Sequence, residues 1–96
     1  MTNIEQPLRR LFAVASSDTG QSRRVANFLL AWWNGEDWGH FDITDLFALD
    51  GDVAGDIADV VRFLAEYPGA IYADAWGYRE QMAVLIRRWR RTKRRT

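Results

Sequence analysis

Apolar side chains recur along this chain at intervals of three and four residues, the spacing that gathers them on one stripe of an α-helix. In the first such stretch Leu8, Leu11, Phe12 and Ala15 follow Pro7, which suits a first helical turn because the N–H it lacks would find no intrahelical partner there. The cluster Ser16, Ser17, Asp18, Thr19 and Gly20 predicts a turn, and a second helix starts near Gln21 with Asp18 or Thr19 as its cap. Val25, Phe28, Leu29, Trp32 and Trp33 line one face of it while Ala26 and Leu30 cover much of the rest, so it belongs at the centre of the fold. Asn34 and Gly35 are stop signals, and Gly39 predicts an irregular course for "GEDWGHFD".

Further on, Asp42 is placed to cap a short helix over residues 43–49, with Asp45 in its first turn facing the positive end of the helix dipole. Asp50 and Gly51 end that helix, and Asp52 caps the next. There Val53, Ile57, Val60, Val61 and Leu64 fall on one face, and Asp52, Asp56, Asp59 and Glu66 on another. "YPG" at residues 67–69 stops it, because proline restricts the residue before it. After the loop "AIYADAWG", Tyr78, Met82, Leu85, Ile86 and Trp89 define the buried stripe of a last helix. No run alternates apolar and polar positions over a strand's length, and no hairpin dipeptide is flanked by β-branched residues. The pattern predicts an all-α fold, a small single-domain orthogonal bundle of four to five helices over residues 1–90, followed by a basic C-terminal tail at residues 91–96.

Length agrees with this, since 96 residues can bury one core and cannot divide into two. Five tryptophans, three tyrosines and five phenylalanines supply the apolar area for that core without covalent staples. With no cysteine there is no disulfide framework, thiolate zinc site or thiol nucleophile, which fits a reducing cytoplasm. No segment approaches the roughly 20 apolar residues that span a bilayer, so a soluble, unprocessed, cytoplasmic protein is expected.

Charge changes the picture more than composition does. The 13 bases and 13 acids cancel in sum, yet residues 25–61 hold eight acids and no Lys or Arg, and residues 87–95 hold seven bases and no acid. The first set, Glu36, Asp37, Asp42, Asp45, Asp50, Asp52, Asp56 and Asp59, would form a negative surface that speeds encounter with a basic partner, and caps and solubility account for about half of it. Trp38 and Phe41 lie in a glycine-flanked loop among these acids, as interface anchors or as rings folded back onto the core. The candidate partner-binding set is therefore Glu36, Asp37, Trp38, Phe41, Asp42, Asp45, Asp52, Asp56 and Asp59. The second set, Arg87, Arg88, Arg90, Arg91, Lys93, Arg94 and Arg95, is a candidate nucleic-acid contact, with Trp89 interleaved either to stack on a base or to pack inward. The same cations also complement a helix C-terminus. A groove-reading helix is disfavoured, because the helix after Asp50 and Gly51 is acidic and phosphate would repel it.

Candidate chemistry is sparse. Ser16, Ser17 and Ser22 fall in a turn and a helix start, and His40 beside Asp37 or Asp42 is the sole general-base candidate, so no catalytic residue is assigned and no enzyme is expected. "DGDVAGDIADVV" at residues 50–61 resembles a calcium loop but carries Ala54 at its fifth position and Val61 at its twelfth, where oxygen ligands are required. No metal or cofactor is expected.

The wording "SDTGQSRRVANFLLAWWN", then "GHFDITDLFALD", then "LIRRWR" resembles a family of small proteobacterial proteins of unknown function carried on plasmids, integrative elements and prophages. The likeness covers roughly residues 16 to 90, most specifically "GQSRRVANFLLAWWN" and "FDITDL", and the arginine-rich extension after Trp89 departs from it. The resemblance implies an accessory gene of a mobile element and carries over no site residue. Small cysteine-free proteins of that kind often inhibit host machinery, as anti-CRISPR proteins do, and an acidic surface can occupy the basic channel in which a CRISPR effector holds nucleic acid. The reading is a non-enzymatic inhibitor of a host defence complex that binds through its acidic face; the alternative is an accessory nucleic-acid-binding protein using the basic C-terminal helix. No membrane partner is expected.

Overall fold

The computed structural model describes residues 3–90 and is all-α: four α-helices and two 3-10 helices, with no strand among the described residues. Helix α1 spans Glu5–Ala15, α2 Gly20–Trp38, α3 Gly51–Glu66 and α4 Arg79–Trp89; the 3-10 helices are Ile43–Ala48 and Ala73–Trp76. The radius of gyration, 12.5 Å, is that of a compact domain of about this length.

Helix α1 buries Pro7, Leu8, Leu11, Phe12 and Ala15, and packs against both α2 and α3. Thr19 caps α2: its hydroxyl accepts from the Ser22 N–H while the Ser22 hydroxyl accepts from the Thr19 N–H, a reciprocal box with serine in the place usually held by glutamate. Val25, Ala26, Phe28, Leu29 and Leu30 are buried, which puts α2 at the centre as its pattern predicts.

The stop expected at Asn34 and Gly35 is a break rather than an end. Asn34 takes extended backbone, and its side-chain oxygen accepts from the Asp37 N–H, capping one more helical turn that runs to Trp38. Gly39, at φ 100°, then ends the helix in a conformation that side chains resist. Residues 35–38 are therefore helical, not irregular as the glycine spacing predicts.

Asp42 caps the next segment as expected, accepting from both the Thr44 N–H and its hydroxyl, but the segment winds as a 3-10 helix with no fully buried residue. The N-cap of α3 is Asp50, so Asp52 lies inside the first turn instead of capping it. The Asp50 carboxylate accepts from Gln21 Nε2, while its own N–H donates to Gln21 Oε1 at 2.6 Å, tying the start of α3 to the start of α2. The buried stripe of α3 is Asp56, Ile57, Val60 and Phe63. It is rotated toward α1 relative to the predicted face, which leaves Val61 51% exposed. Gly55 sits on the outer side of α3 with open space where a Cβ would stand. Gly55→Ala is expected to raise stability by about 0.5–1 kcal/mol through the lower entropy of its unfolded chain, measured by urea denaturation; a loss of stability would mean that this face is covered.

Two indole N–H groups fasten the remaining elements. Trp32 donates to the Ile71 carbonyl at 2.9 Å, pinning the loop before the second 3-10 helix, and Trp89 donates to the Ala15 carbonyl at 2.9 Å, closing α4 onto the end of α1. Tyr78 stacks on Phe12 with ring centroids 4.2 Å apart. A chain of ring contacts runs from Phe41 through Phe28, Trp32 and Trp76 to Phe63 and Tyr67, with Phe28 and Phe63 buried and the others half-buried.

Candidate functional site

Helix α3 packs on α1, and between α3 and α2 the surface opens into a groove of about 790 Å³. Phe28 and Trp32 of α2, Phe41 and Leu46 of the connecting segment, and Ile57 and Leu64 of α3 line it, with His40 and Arg62 as its polar members. Phe41 meets Phe28 edge to face at 5.5 Å, so its ring is a wall of the groove rather than a free anchor. Ile43 and Val61 also line it, Ile43 being 69% exposed, and on the same 3-10 helix Phe47 is 90% exposed. Large apolar side chains left open to water beside an apolar groove are the usual mark of a docking surface.

The acids of residues 25–61 do not form one sheet of charge. Asp56 is buried and accepts twice from Arg10, at 2.9 Å from Nε and 2.9 Å from Nη2. This bidentate pair, with the fields of Asp52 and Asp59, raises the Arg10 pKa against partial desolvation. Asp52, Asp56 and Asp59 therefore stand together, around Arg10, in a shallow depression floored by Gly51 and Gly55. Asp45 is elsewhere, paired with Arg24 at 3.5 Å. Asp37 turns back on Asn34, and Trp38 is half-buried with its carbonyl engaged by Arg90. Glu36 and Asp42 are exposed, and the two bonds from Thr44 hold the Asp42 carboxyl below the usual carboxylate range.

The bases divide as well. Arg87 projects into solvent. Arg88 donates to the Ser17 carbonyl at 3.1 Å, lies 5.3 Å over the Trp89 ring and approaches Asp18 at 3.6 Å. Arg90 is a clamp, donating to the carbonyls of Trp38 and Trp89 and to the Asn27 side chain. Arg91, Lys93, Arg94 and Arg95 lie outside the described residues.

A hollow of about 440 Å³, which the linear reading does not anticipate, brings Arg23, Arg24 and Asn27 of α2 beside Trp89, with Asp18 and Asp45 on its rim. His40 is exposed and rests against Gly35, where an added side chain would meet Nδ1 at 3.1 Å. Among the described residues no three His, Cys, Asp or Glu side chains stand close enough to hold a metal ion, and no helix is long and apolar enough to cross a membrane.

Among the described residues, fold and surface define a small all-α domain with an open apolar groove and with charged clusters on α3 and at the junction of α2 with α4. The chain belongs to DUF7673, a family of unknown function whose model matches residues 5–90. That match ends where the basic extension begins. No curated protein and no solved structure matches the chain.

Proposed function

We propose that this protein is a non-enzymatic binding protein, an accessory factor of a mobile genetic element, that docks on a host defence complex and blocks it. A CRISPR effector is the kind of complex whose basic, nucleic-acid-holding surface suits it. The observation that carries the reading is the apolar groove between α2 and α3, open to water and lined in part by the exposed Ile43 and Val61, with the exposed Phe47 on the same 3-10 helix as Ile43. The occupant is a protein segment with apolar anchors flanked by basic side chains. Charge complementarity supports this choice: Asp42 lies between Phe41 and Ile43 at one rim, and Asp52 and Asp59 lie across the outer side of α3. Asp52 and Asp59 border the depression around Arg10 while Ile57, Val61 and Arg62 of the same helix line the groove, so the acidic edge flanks the groove along α3.

The experiment is a pull-down from nuclease-treated host lysate with the wild-type chain, Phe47→Asp/Val61→Asp and Asp52→Lys/Asp59→Lys, each checked for an unchanged helical spectrum. One protein retained by the wild type and lost with both variants is the expected result. Retention that survives both substitutions, or depends on intact nucleic acid, overturns the proposal.

A further inference from the structure

A second surface stands apart from the groove and makes no use of it. Arg23 and Arg24 of α2 line the hollow beside Trp89, and Arg88 of α4, from the opposite end of the sequence, stands just outside it against Asp18 on the rim. Two of the three guanidinium groups are already held: Arg24 donates to the Gly20 carbonyl at 3.0 Å, and Arg88 is fixed by the Ser17 carbonyl and the Trp89 ring. Their side-chain freedom is therefore partly lost before any ligand arrives, which lowers the entropic cost of binding. Asp45 and Asp18 approach them only at 3.5 and 3.6 Å, and Asp18 has a side chain 90% exposed. Such open, monodentate pairs exchange readily for a stronger anion. No carboxylate among the described residues pairs with Arg23. The first backbone N–H groups of α2 border the same hollow and add positive potential to it.

From these arginines we infer that the junction of α2 with α4 binds the phosphodiester backbone of a nucleic acid, with Arg23, Arg24 and Arg88 as its phosphate contacts. Planar guanidinium forks match phosphate oxygens in pairs, and two of them in the hollow with a third beyond its rim fit consecutive phosphates better than any apolar ligand. A polymer is favoured over a free phosphate because Arg88 stands outside the hollow, against Asp18 on its rim, so the guanidinium groups are spread along the surface rather than gathered on one point. The contacts assigned are all to phosphate, and Asn27 is engaged by Arg90, so binding is expected to be indifferent to sequence and steep in salt.

The test uses the full chain and fluorescence anisotropy with a short labelled DNA duplex and a labelled single strand, titrated over a range of salt. Arg23→Glu is expected to weaken binding about tenfold and to flatten the slope of log affinity against log salt by about 1 or more, with an unchanged helical spectrum. A tail-neutral chain carrying Gln at positions 91, 93, 94 and 95 should bind more weakly yet remain sensitive to Arg23→Glu. Binding that ignores Arg23→Glu and vanishes in the tail-neutral chain overturns the inference in favour of a tail acting alone. Absence of binding at low salt overturns it too, as does displacement by inorganic phosphate at the same phosphate concentration as unlabelled oligonucleotide. Loss of partner capture by the groove variants leaves this inference untouched, since none of them alters the arginines.

Discussion

Leu29→Ala is expected to remove about 2–5 kcal/mol of stability, measured as a shift in the urea midpoint with little change in slope. Leu29 has no exposed surface and sits in the middle of α2, the helix that α1 and α4 both pack against. Removing three carbon atoms from a close-packed core leaves a void that the surrounding structure closes only in part. Total stability for a domain of this size is about 5–15 kcal/mol, so the variant should lose a large share of it and melt far lower. A change under about 1 kcal/mol would show a core able to collapse around the gap, and would undermine the assignment of α2 as the central helix.

Arg90→Ala is expected to cost about 1–3 kcal/mol, whereas Arg87→Ala should fall within about 0.5 kcal/mol of the wild type. The two arginines are three positions apart in one basic run, yet they have opposite surroundings. Arg87 points into water, while Arg90 donates to two carbonyls and one side-chain oxygen that would be left without their charged donor. Thermal denaturation of both variants separates the roles. Equal effects would mean that the bonds to Trp38 and Asn27 contribute nothing net, as exposed polar contacts often do.

Residue spacing revealed most of the fold. The stripes of α1 and α4 predicted most of their buried residues because each packs along a single line that a period of 3.6 captures, and α2 was legible as central because its apolar residues go beyond one line. It failed on α3 by about one position: Val61 and Phe63 both suit the apolar face, and which one turns inward depends on where α1 lies, a tertiary fact. The groove was equally hidden, since it arises from the separation of α2 and α3 and not from any motif. One signal was present. Ile43, Leu46 and Phe47, with Leu49 directly after, are more large apolar side chains than so short a 3-10 helix can turn toward a core, so some had to face water. The charge blocks were legible as blocks, but the pairing of Asp56 with Arg10 and of Asp45 with Arg24 joins residues 46 and 21 positions apart, beyond the reach of any local pattern.

The fastening of Arg90 to the carbonyl of Trp38 also couples two places that sequence separation would make strangers. The exit point of the cationic extension is tethered directly to an indole-bearing turn at the break of the central helix. Because the same guanidinium also donates to the Trp89 carbonyl, breaking the clamp is expected to disturb two indole-bearing residues at once and to register in the intrinsic tryptophan emission.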